Sequence, residues 1–219
     1  MLQFHTMHST GSVLWYACTM YVNRDLIRQA YDQTTKAYNL DRQHFRTQKY
    51  LTRFLELIPK QSSVLDLGCG AGFPIDDQVL KKGHLLTGID FSPSQLVLAR
   101  KNCPTAEYLQ KDIALLKPNE FSVDAIICLY TLFHLSRATH AQWLQTIASY
   151  LPKNGYILIS MGEADFEGWH DFYGQQIWSS QFGPQTNREM LAAAGFEIVL
   201  DEIDQSNHEK HQIIIAQKT

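Results

Sequence analysis

From residue 63 onward, short apolar runs alternate with amphipathic stretches. Ser63–Leu67, His84–Ile89, Ala106–Gln110, Val123–Leu129 and Tyr156–Met161 are brief and nearly continuous in apolar character, the pattern of strands buried on both faces. Helical signals separate them. Pro74–Lys82 carries Pro in its first turn, Asp76 and Asp77 at its positive end, and Gly83 after it. Ser92-Pro93 opens a helix to about Asn102, with Ser92 as N-cap and Pro93 at the first helical position. Arg137–Leu151 brings Trp143, Leu144, Ile147 and Leu151 to one face. A Pro-Lys-Asn-Gly turn leads into Tyr156.

The ends of the chain read differently. Asn23–Asn39 predicts a helix with Leu26, Ile27, Ala30, Tyr31, Thr34 and Tyr38 near one face, and about Arg42–Ile58 a second, holding Phe45, Tyr50, Phe54, Leu55 and Ile58 and stopped by Pro59. Near the C-terminus, Thr186 with Glu189 forms a capping box for a helix to Ala194, closed by Gly195. Glu197–Ile203 and His211–Ala216 follow as strands joined by a polar hairpin loop. The interval Phe166–Phe182 holds Trp169, His170, Phe172, Tyr173 and Trp178, and reads either as a lid over a pocket or as a second small core.

Alternating strands and helices of this kind give a mostly parallel sheet covered on both faces. Ligands of such sheets bind at the carboxyl ends of the strands. The length, 219 residues, suits one sizeable domain. A net charge of −3 supplies no basic field for a nucleic-acid backbone. Cys18, Cys69, Cys103 and Cys128 lack CxxC spacing, which disfavours a zinc site or disulfide framework and suits a reducing, cytoplasmic compartment. His5, His8, His208 and His211 have no ligand spacing, so no metal is expected. Val13–Cys18 is apolar but has no Lys or Arg before it, a poor signal peptide; no stretch reaches membrane-spanning length, and Met20 is an alternative start.

The chemistry is concentrated where strands end. Val64–Gly72 reads VLDLGCGAG: an acidic residue, Asp66, on a strand, then glycines at 68, 70 and 72. Glycines at such a bend accept positive φ and let a ligand approach the bare backbone. The spacing is G-x-G-x-G, whereas the dinucleotide fingerprint needs G-x-G-x-x-G, which counts against a nicotinamide-dependent oxidoreductase. Asp90 follows the second strand in Gly88-Ile89-Asp90-Phe91-Ser92-Pro93, placed to take ribose hydroxyls. Asp112-Ile113 follows the third strand. Cys128–Leu135 follows the fourth and contains His134, whose ordinary pKa suits a general base; a packed, hydrogen-bonded role is the alternative.

The string VLDLGCGAG resembles motif I of class I S-adenosylmethionine (SAM)-dependent methyltransferases of the small-molecule type, and GIDFSP extends the resemblance. It implies a Rossmann-like, seven-stranded, mostly parallel sheet with helices on both faces and an antiparallel last strand. It implies SAM as cofactor and S-adenosylhomocysteine as product, with Asp66, Gly68, Cys69, Gly70 and Gly72 at the methionine end. Asp90 would take the ribose, with Phe91 and Ser92 beside it and Phe91 flanking the adenine. Asp112 would meet the adenine amino group and Ile113 its ring. Leu129 and Tyr130 would lie beside the sulfonium. Ala30-Tyr31-Asp32 to Ala37-Tyr38 resembles a lid helix, with Tyr31 and Tyr38 on one face.

The expected domain layout is an N-terminal extension at 1–22, a candidate for disorder, and one methyltransferase domain at 23–219, with a helical lid at 23–58 and an aromatic cap at 162–185. Catalytic candidates are His134, Tyr31 and Tyr130; Tyr38 joins the cofactor set; Trp169, Tyr173 and Trp178 are substrate candidates. No Asn-Pro-Pro-Tyr-like tetrapeptide follows the fourth strand, where Cys128-Leu129-Tyr130-Thr131 stands instead. The expected acceptor is therefore a small molecule rather than nucleic acid or membrane, with a monomer or homodimer as the working form. A SAM-binding sensor or assembly protein without transferase activity is the alternative of another class.

Overall fold

A computed structural model describes residues 23–42, 48–205 and 210–219. Its core is a sheet of seven strands: β1 (Ser63–Leu67), β2 (Leu85–Asp90), β3 (Glu107–Gln110), β4 (Ala125–Cys128), β5 (Tyr156–Gly162), β8 (Phe196–Asp204) and β9 (His211–Lys218). Their order is β3-β2-β1-β4-β5-β9-β8. The pairs β1/β2, β2/β3, β1/β4 and β4/β5 are parallel, and β9 runs antiparallel to both β5 and β8. The expected Rossmann-like sheet with its antiparallel last strand is therefore present. The strand order reverses between β1 and β4, so helices diverge there and leave a crevice at the carboxyl ends.

Strand periodicity divides the core. Leu65, Ile126, Ile157, Ile159 and Ile214 face Trp143, Leu144 and Ile147 of α5 (Arg137–Ala148) and Met190 and Leu191 of α6 (Pro184–Ala193). Their neighbours Val64, Ile127, Leu158, Ile213 and Ile215 face Tyr50, Leu51 and Phe54 of α2 (Gln48–Leu57) and Val79 of α3 (Ile75–Lys81). Burial on both faces explains why these strands read as continuous apolar runs.

The aromatic interval resolves into a separate hairpin, β6 (Phe166–Phe172) with β7 (Gln175–Gln181). Its two-residue turn is Tyr173-Gly174, both at positive φ, 52° and 79°, as the right-handed twist of a tight hairpin requires. Ile177 and Trp178 pack on Ile27 and Ala30 of α1 (Arg24–Arg42), forming a satellite core outside the main sheet.

Several expected boundaries shift. Helix α6 starts at Pro184, with Gly183 as N-cap, so Thr186 lies inside it and makes no capping box. Proline's fixed φ favours the earlier start. Asn187 then spends its side-chain amide on the carbonyls of Gly162 and Phe182 and on Gln212 Oε1, tying α6 to β5 and β9. On α1, Leu26 is exposed, because the stripe through Ile27, Ala30 and Tyr31 passes it by. Pro74 is the N-cap of α3 rather than its first residue; Asp76 and Asp77 lie in its first turn as expected, with Asp76 fully buried. The strand expected to reach Leu129 stops at Cys128. Phe45, Cys18, His5, His8, His208 and the 1–22 extension lie outside the described residues, as does the tip of the β8–β9 loop.

Candidate functional site

The glycine bend is a frame for Asp90. Gly68 N–H and Cys69 N–H both donate to the Ile89 carbonyl, 2.7 and 3.0 Å away, so the bend is sewn onto the end of β2. Gly68, Gly70 and Gly72 all hold positive φ (80°, 55° and 72°). At Gly68 a Cβ would stand 2.1 Å from Thr131 Oγ1, so only hydrogen fits. Asp90 accepts from Gly70 N–H at 2.9 Å and from Ser92 N–H at 2.8 Å. Burial pushes its carboxyl up to about 6, against the pull of those backbone donors.

Beneath the bend lies a buried acidic layer. Tyr108 of β3 donates to Asp76 Oδ2 at 2.7 Å. Burial, and then the neighbouring Asp66, hold the Asp76 carboxyl well above the usual carboxylate range. A Cβ on Gly72 would stand 2.7 Å from Tyr108 Oη. Asp66, 1% exposed, belongs to the same buried layer as the neighbour of Asp76.

Helix α1 packs over this region. Arg24 Nε and Nη2 reach the two carboxylate oxygens of Asp112 at 2.9 and 2.5 Å. Nη1 donates to the His134 carbonyl, and the guanidinium lies 5.0 Å over the Phe91 ring. Asp112 also caps a short 3-10 turn at Ile113–Leu115 through Ala114 N–H. Further along α1, Asp32 meets Ser92 Oγ at 2.5 Å and Asn39 donates to Gln95 Oε1 at 3.2 Å. Ser92 itself caps α4 (Pro93–Asn102), as expected.

At the other end, Tyr31 Oη and His134 Nε2 are 2.8 Å apart, and His134 Nδ1 is 3.0 Å from the Trp178 carbonyl. A carbonyl only accepts, so Nδ1 carries the ring proton. Nε2 then accepts, and Tyr31 donates its hydroxyl proton. Burial, reinforced by Arg24 and His170, brings the His134 pKa down to about 4 against the partial help of the Trp178 bond. Tyr31 also stands edge-on to Tyr38 (5.4 Å) and to Phe172 (5.1 Å). Tyr130, at φ 57°, follows β4, and its ring meets His211 at 5.0 Å.

A crevice runs between these ends, with about 500 Å³ of empty space that includes its solvent-open mouth. Of the expected residues, Tyr31, Tyr38, Gly68, Gly70, Asp90, Phe91, Ile113, Tyr130 and His134 line it. Asp66, Cys69, Gly72, Ser92, Asp112 and Leu129 are not among the residues that line it. Trp178 departs furthest from expectation: it is 2% exposed and inside the satellite core, so only its carbonyl approaches the site. Trp169 is 44% exposed and stacks edge-on against Trp178, and Tyr173 sits at the hairpin tip beside Tyr38.

The expectations omitted Arg24, Gln95, Lys111 and Thr131, which also line the cavity. A signal for Arg24 was available: it precedes Tyr31 by the seven residues that separate Tyr31 from Tyr38, and so shares their helical face. Gln95 is 1% exposed, and its Nε2 has no hydrogen-bond partner among the described residues. An orphaned donor beside bare glycine backbone and a buried carboxylate suits a polar ligand rich in hydroxyls.

Residues 64–155 match a family model described as a methyltransferase domain. A trans-aconitate 2-methyltransferase of Enterobacter sp. (strain 638) is 34% identical over 132 residues, 59% of this chain and 50% of that one. The chain spans about half the length of the curated relatives it matches. Among solved structures, the Burkholderia thailandensis 1,6-didemethyltoxoflavin-N1-methyltransferase, with bound 1,6-didemethyltoxoflavin and S-adenosylhomocysteine, superposes with a TM-score of 0.69 at 20% identity, over 90% of this chain and 88% of that one. The Synechocystis magnesium protoporphyrin IX methyltransferase with bound SAM gives 0.60 at 19% identity, over 91% and 85%. Likeness at these identities establishes the shared fold.

Proposed function

We propose that this chain, which carries a methyltransferase domain at residues 64–155, moves a methyl group from S-adenosylmethionine to a small-molecule acceptor. One observation carries the reading. The bare bend at 68–72 and the buried Asp90 border a crevice at the switch point of the sheet, with the orphaned Gln95 amide among its walls.

In this reading Asp90 and Gln95 hold the ribose, Ile113 and Phe91 flank the adenine, Asp112 meets its amino group, and Gly68 and Gly70 admit the methionine end. Asp66, Cys69, Gly72, Ser92 and Leu129 hold that frame in place. SAM supplies a methyl on a positively charged sulfur, already activated for displacement. The chain's own residues then have two tasks: aligning the acceptor in line with that methyl and keeping water out. The α1 lid and the β6–β7 cap serve the second task, and Tyr31, Tyr38 and Tyr130 line the region left for the acceptor.

A small acceptor is supported by the named acceptors of the trans-aconitate and toxoflavin enzymes. A net charge of −3 supports an acceptor other than nucleic acid, and no described helix is long and apolar enough to cross a membrane. A cytoplasmic location and a monomer or homodimer complete the reading. Calorimetry on the full chain tests its premise: S-adenosylhomocysteine should bind with one-to-one stoichiometry. A folded chain that binds neither it nor SAM overturns the proposal.

A further inference from the structure

Resting on the methyltransferase reading, we propose that Asn39 of α1 is a positioning residue: it turns the Gln95 amide so that Gln95 donates to the bound nucleoside, and this donor, beside the acceptor Asp90, selects a ribose hydroxyl. Gln95 is 1% exposed, so bulk water does not serve its side chain. Asn39 Nδ2 donates to Gln95 Oε1 at 3.2 Å. That bond occupies the oxygen end of the amide, and Nε2 has no partner among the described residues. A buried donor without an acceptor is costly, and the cost is recovered when a ligand brings one.

Gly70 joins the two polar groups. Its N–H donates to Asp90 Oδ2 at 2.9 Å, and a Cβ built on it would stand 3.8 Å from Gln95 Oε1. Gly70, Asp90 and Gln95 all line the crevice. An ionised carboxylate only accepts, and an amide nitrogen only donates. A single ligand group that satisfies both must donate to one and accept from the other. A hydroxyl does so; an ether oxygen or a C–H does not. With the amide reversed, Oε1 and the carboxylate would face the ligand together, an arrangement suited to an ammonium or guanidinium. The bond from Asn39 therefore sets which chemistry the pair accepts.

A second side chain of α1 supports the same corner. Asp32 precedes Asn39 by seven residues and shares its helical face. It accepts from Ser92 Oγ at 2.5 Å, while its other oxygen holds Arg28 at 3.0 Å. Ser92 Oγ accepts in turn from Gln95 N–H at 3.1 Å, and Ser92 N–H donates to Asp90 Oδ1 at 2.8 Å. Helix α1 thus steadies Gln95 twice, by its backbone through Asp32 and Ser92 and by its side chain through Asn39.

The experiment uses the full chain at pH 8, with calorimetry on S-adenosylhomocysteine and on its 2′-deoxy and 3′-deoxy forms. Wild type should bind at least one deoxy form about tenfold more weakly than the parent, or worse. Asn39→Asp puts a charged acceptor where the donor stood; it draws Nε2 and turns Oε1 to the ligand. This variant should bind S-adenosylhomocysteine about tenfold more weakly than wild type and shrink the deoxy penalty about threefold. Asn39→Ala removes the bond without imposing the reversed amide and should lose only about threefold. S-adenosylhomocysteine has no net charge at this pH, so the added carboxylate does not simply repel it.

Proton–nitrogen-15 NMR supplies a readout that loss of packing does not imitate, with the Gln95 amide assigned by its disappearance in Gln95→Met. In wild type one Nε2 proton should move downfield as S-adenosylhomocysteine binds, because it gains an acceptor; in Asn39→Asp it is already bonded and should stay. An unmoved Gln95 amide in saturated wild type, equal affinities of Asn39→Asp and Asn39→Ala, or an unchanged deoxy penalty in Asn39→Asp would each overturn the role of Asn39. The wild-type resonance decides the matter even where Asn39→Asp does not fold. Failure of the wild-type chain to bind S-adenosylhomocysteine would instead remove the methyltransferase reading on which the proposal rests.

Discussion

Arg24 holds Asp112 by a two-pronged ion pair, Nε to Oδ2 at 2.9 Å and Nη2 to Oδ1 at 2.5 Å, while its guanidinium plane lies on Phe91. Asp112 and Phe91 are two of the groups that the methyltransferase reading gives to the adenine. A flat cation with N–H donors satisfies the same carboxylate and the same aromatic face that an adenine would. In that reading α1 rests on the groups proposed to meet the cofactor.

It follows that Arg24 must yield when cofactor enters. Arg24→Gln removes the competing charge and should strengthen S-adenosylhomocysteine binding by about tenfold, equivalent to about 1.4 kcal/mol, mainly through faster association. Stopped-flow fluorescence and calorimetry give the two numbers. A weaker and slower-binding variant would mean that Arg24 supports the cofactor instead of displacing it.

The raised pKa of Asp90, about 6, makes cofactor binding sensitive to acid. Above pH 6 the carboxylate is charged and accepts strongly; as pH falls through 6 it takes up a proton and loses that capacity. The dissociation constant of S-adenosylhomocysteine should accordingly rise below pH 6, by up to tenfold per unit. Asp90→Ala should weaken binding by about tenfold to a hundredfold at pH 7.5, the scale of charged hydrogen bonds, and should flatten the pH profile. Unchanged affinity in a folded variant would exclude Asp90 from the ribose.

His140 is a stability sensor in the main core. It is 1% exposed, bonded through Nε2 to the Leu135 carbonyl at 3.2 Å, and brought down to about 4 chiefly by burial. The unfolded chain takes a proton there near 6.5 and the folded chain does not until near 4. Stability from this residue is therefore fully present above 6.5 and falls as pH drops towards 4, by about 3 kcal/mol in all. Urea unfolding of wild type and His140→Gln at pH 7.5 and 4.5 isolates the effect, since other groups cancel in the difference. A difference that is constant with pH would contradict the assignment.

Two glycines at nearly equal φ separate strain from close contact. At Gly83 (φ 84°) an added Cβ meets nothing within 4 Å, whereas at Gly68 (φ 80°) it meets Thr131 at 2.1 Å. Gly83→Ala should cost about 1–2 kcal/mol, the left-handed penalty alone. Gly68→Ala should cost clearly more and abolish S-adenosylhomocysteine binding, because Thr131 and the bend cannot both keep their places. Equal losses in chemical denaturation would show that the Thr131 contact relaxes freely.

Much of this arrangement was legible beforehand. Val64–Gly72 announced both a strand and a bend because buried parallel strands need unbroken apolar residues and sharp bends need glycine. Asp90 announced itself by ending the second strand. The cap hairpin was less legible, since Phe166–Phe182 has a polar residue at every few positions and the turn is a Tyr-Gly pair rather than Asn-Gly. The Thr186 capping box misled because Pro184, two residues earlier, also fits a helix start, and only the packing of Asn187 against Gly162 and Gln212 chooses between them.

Local chemistry, then, fixed what is local: the strand runs, the glycine bend, the Ser92 cap and the acidic strand ends, all of which follow from the conformational limits of neighbouring residues. The tertiary structure decided every relationship that spans the chain. Arg24 meets Asp112 across 88 residues, Tyr31 meets His134 across 103, and His134 meets the Trp178 carbonyl across 44. Burial, which only the assembled layers create, moved the carboxyl of Asp90 up and the imidazole of His134 down. No sequence window holds those partners together, because the fields that set protonation come from groups brought close by packing.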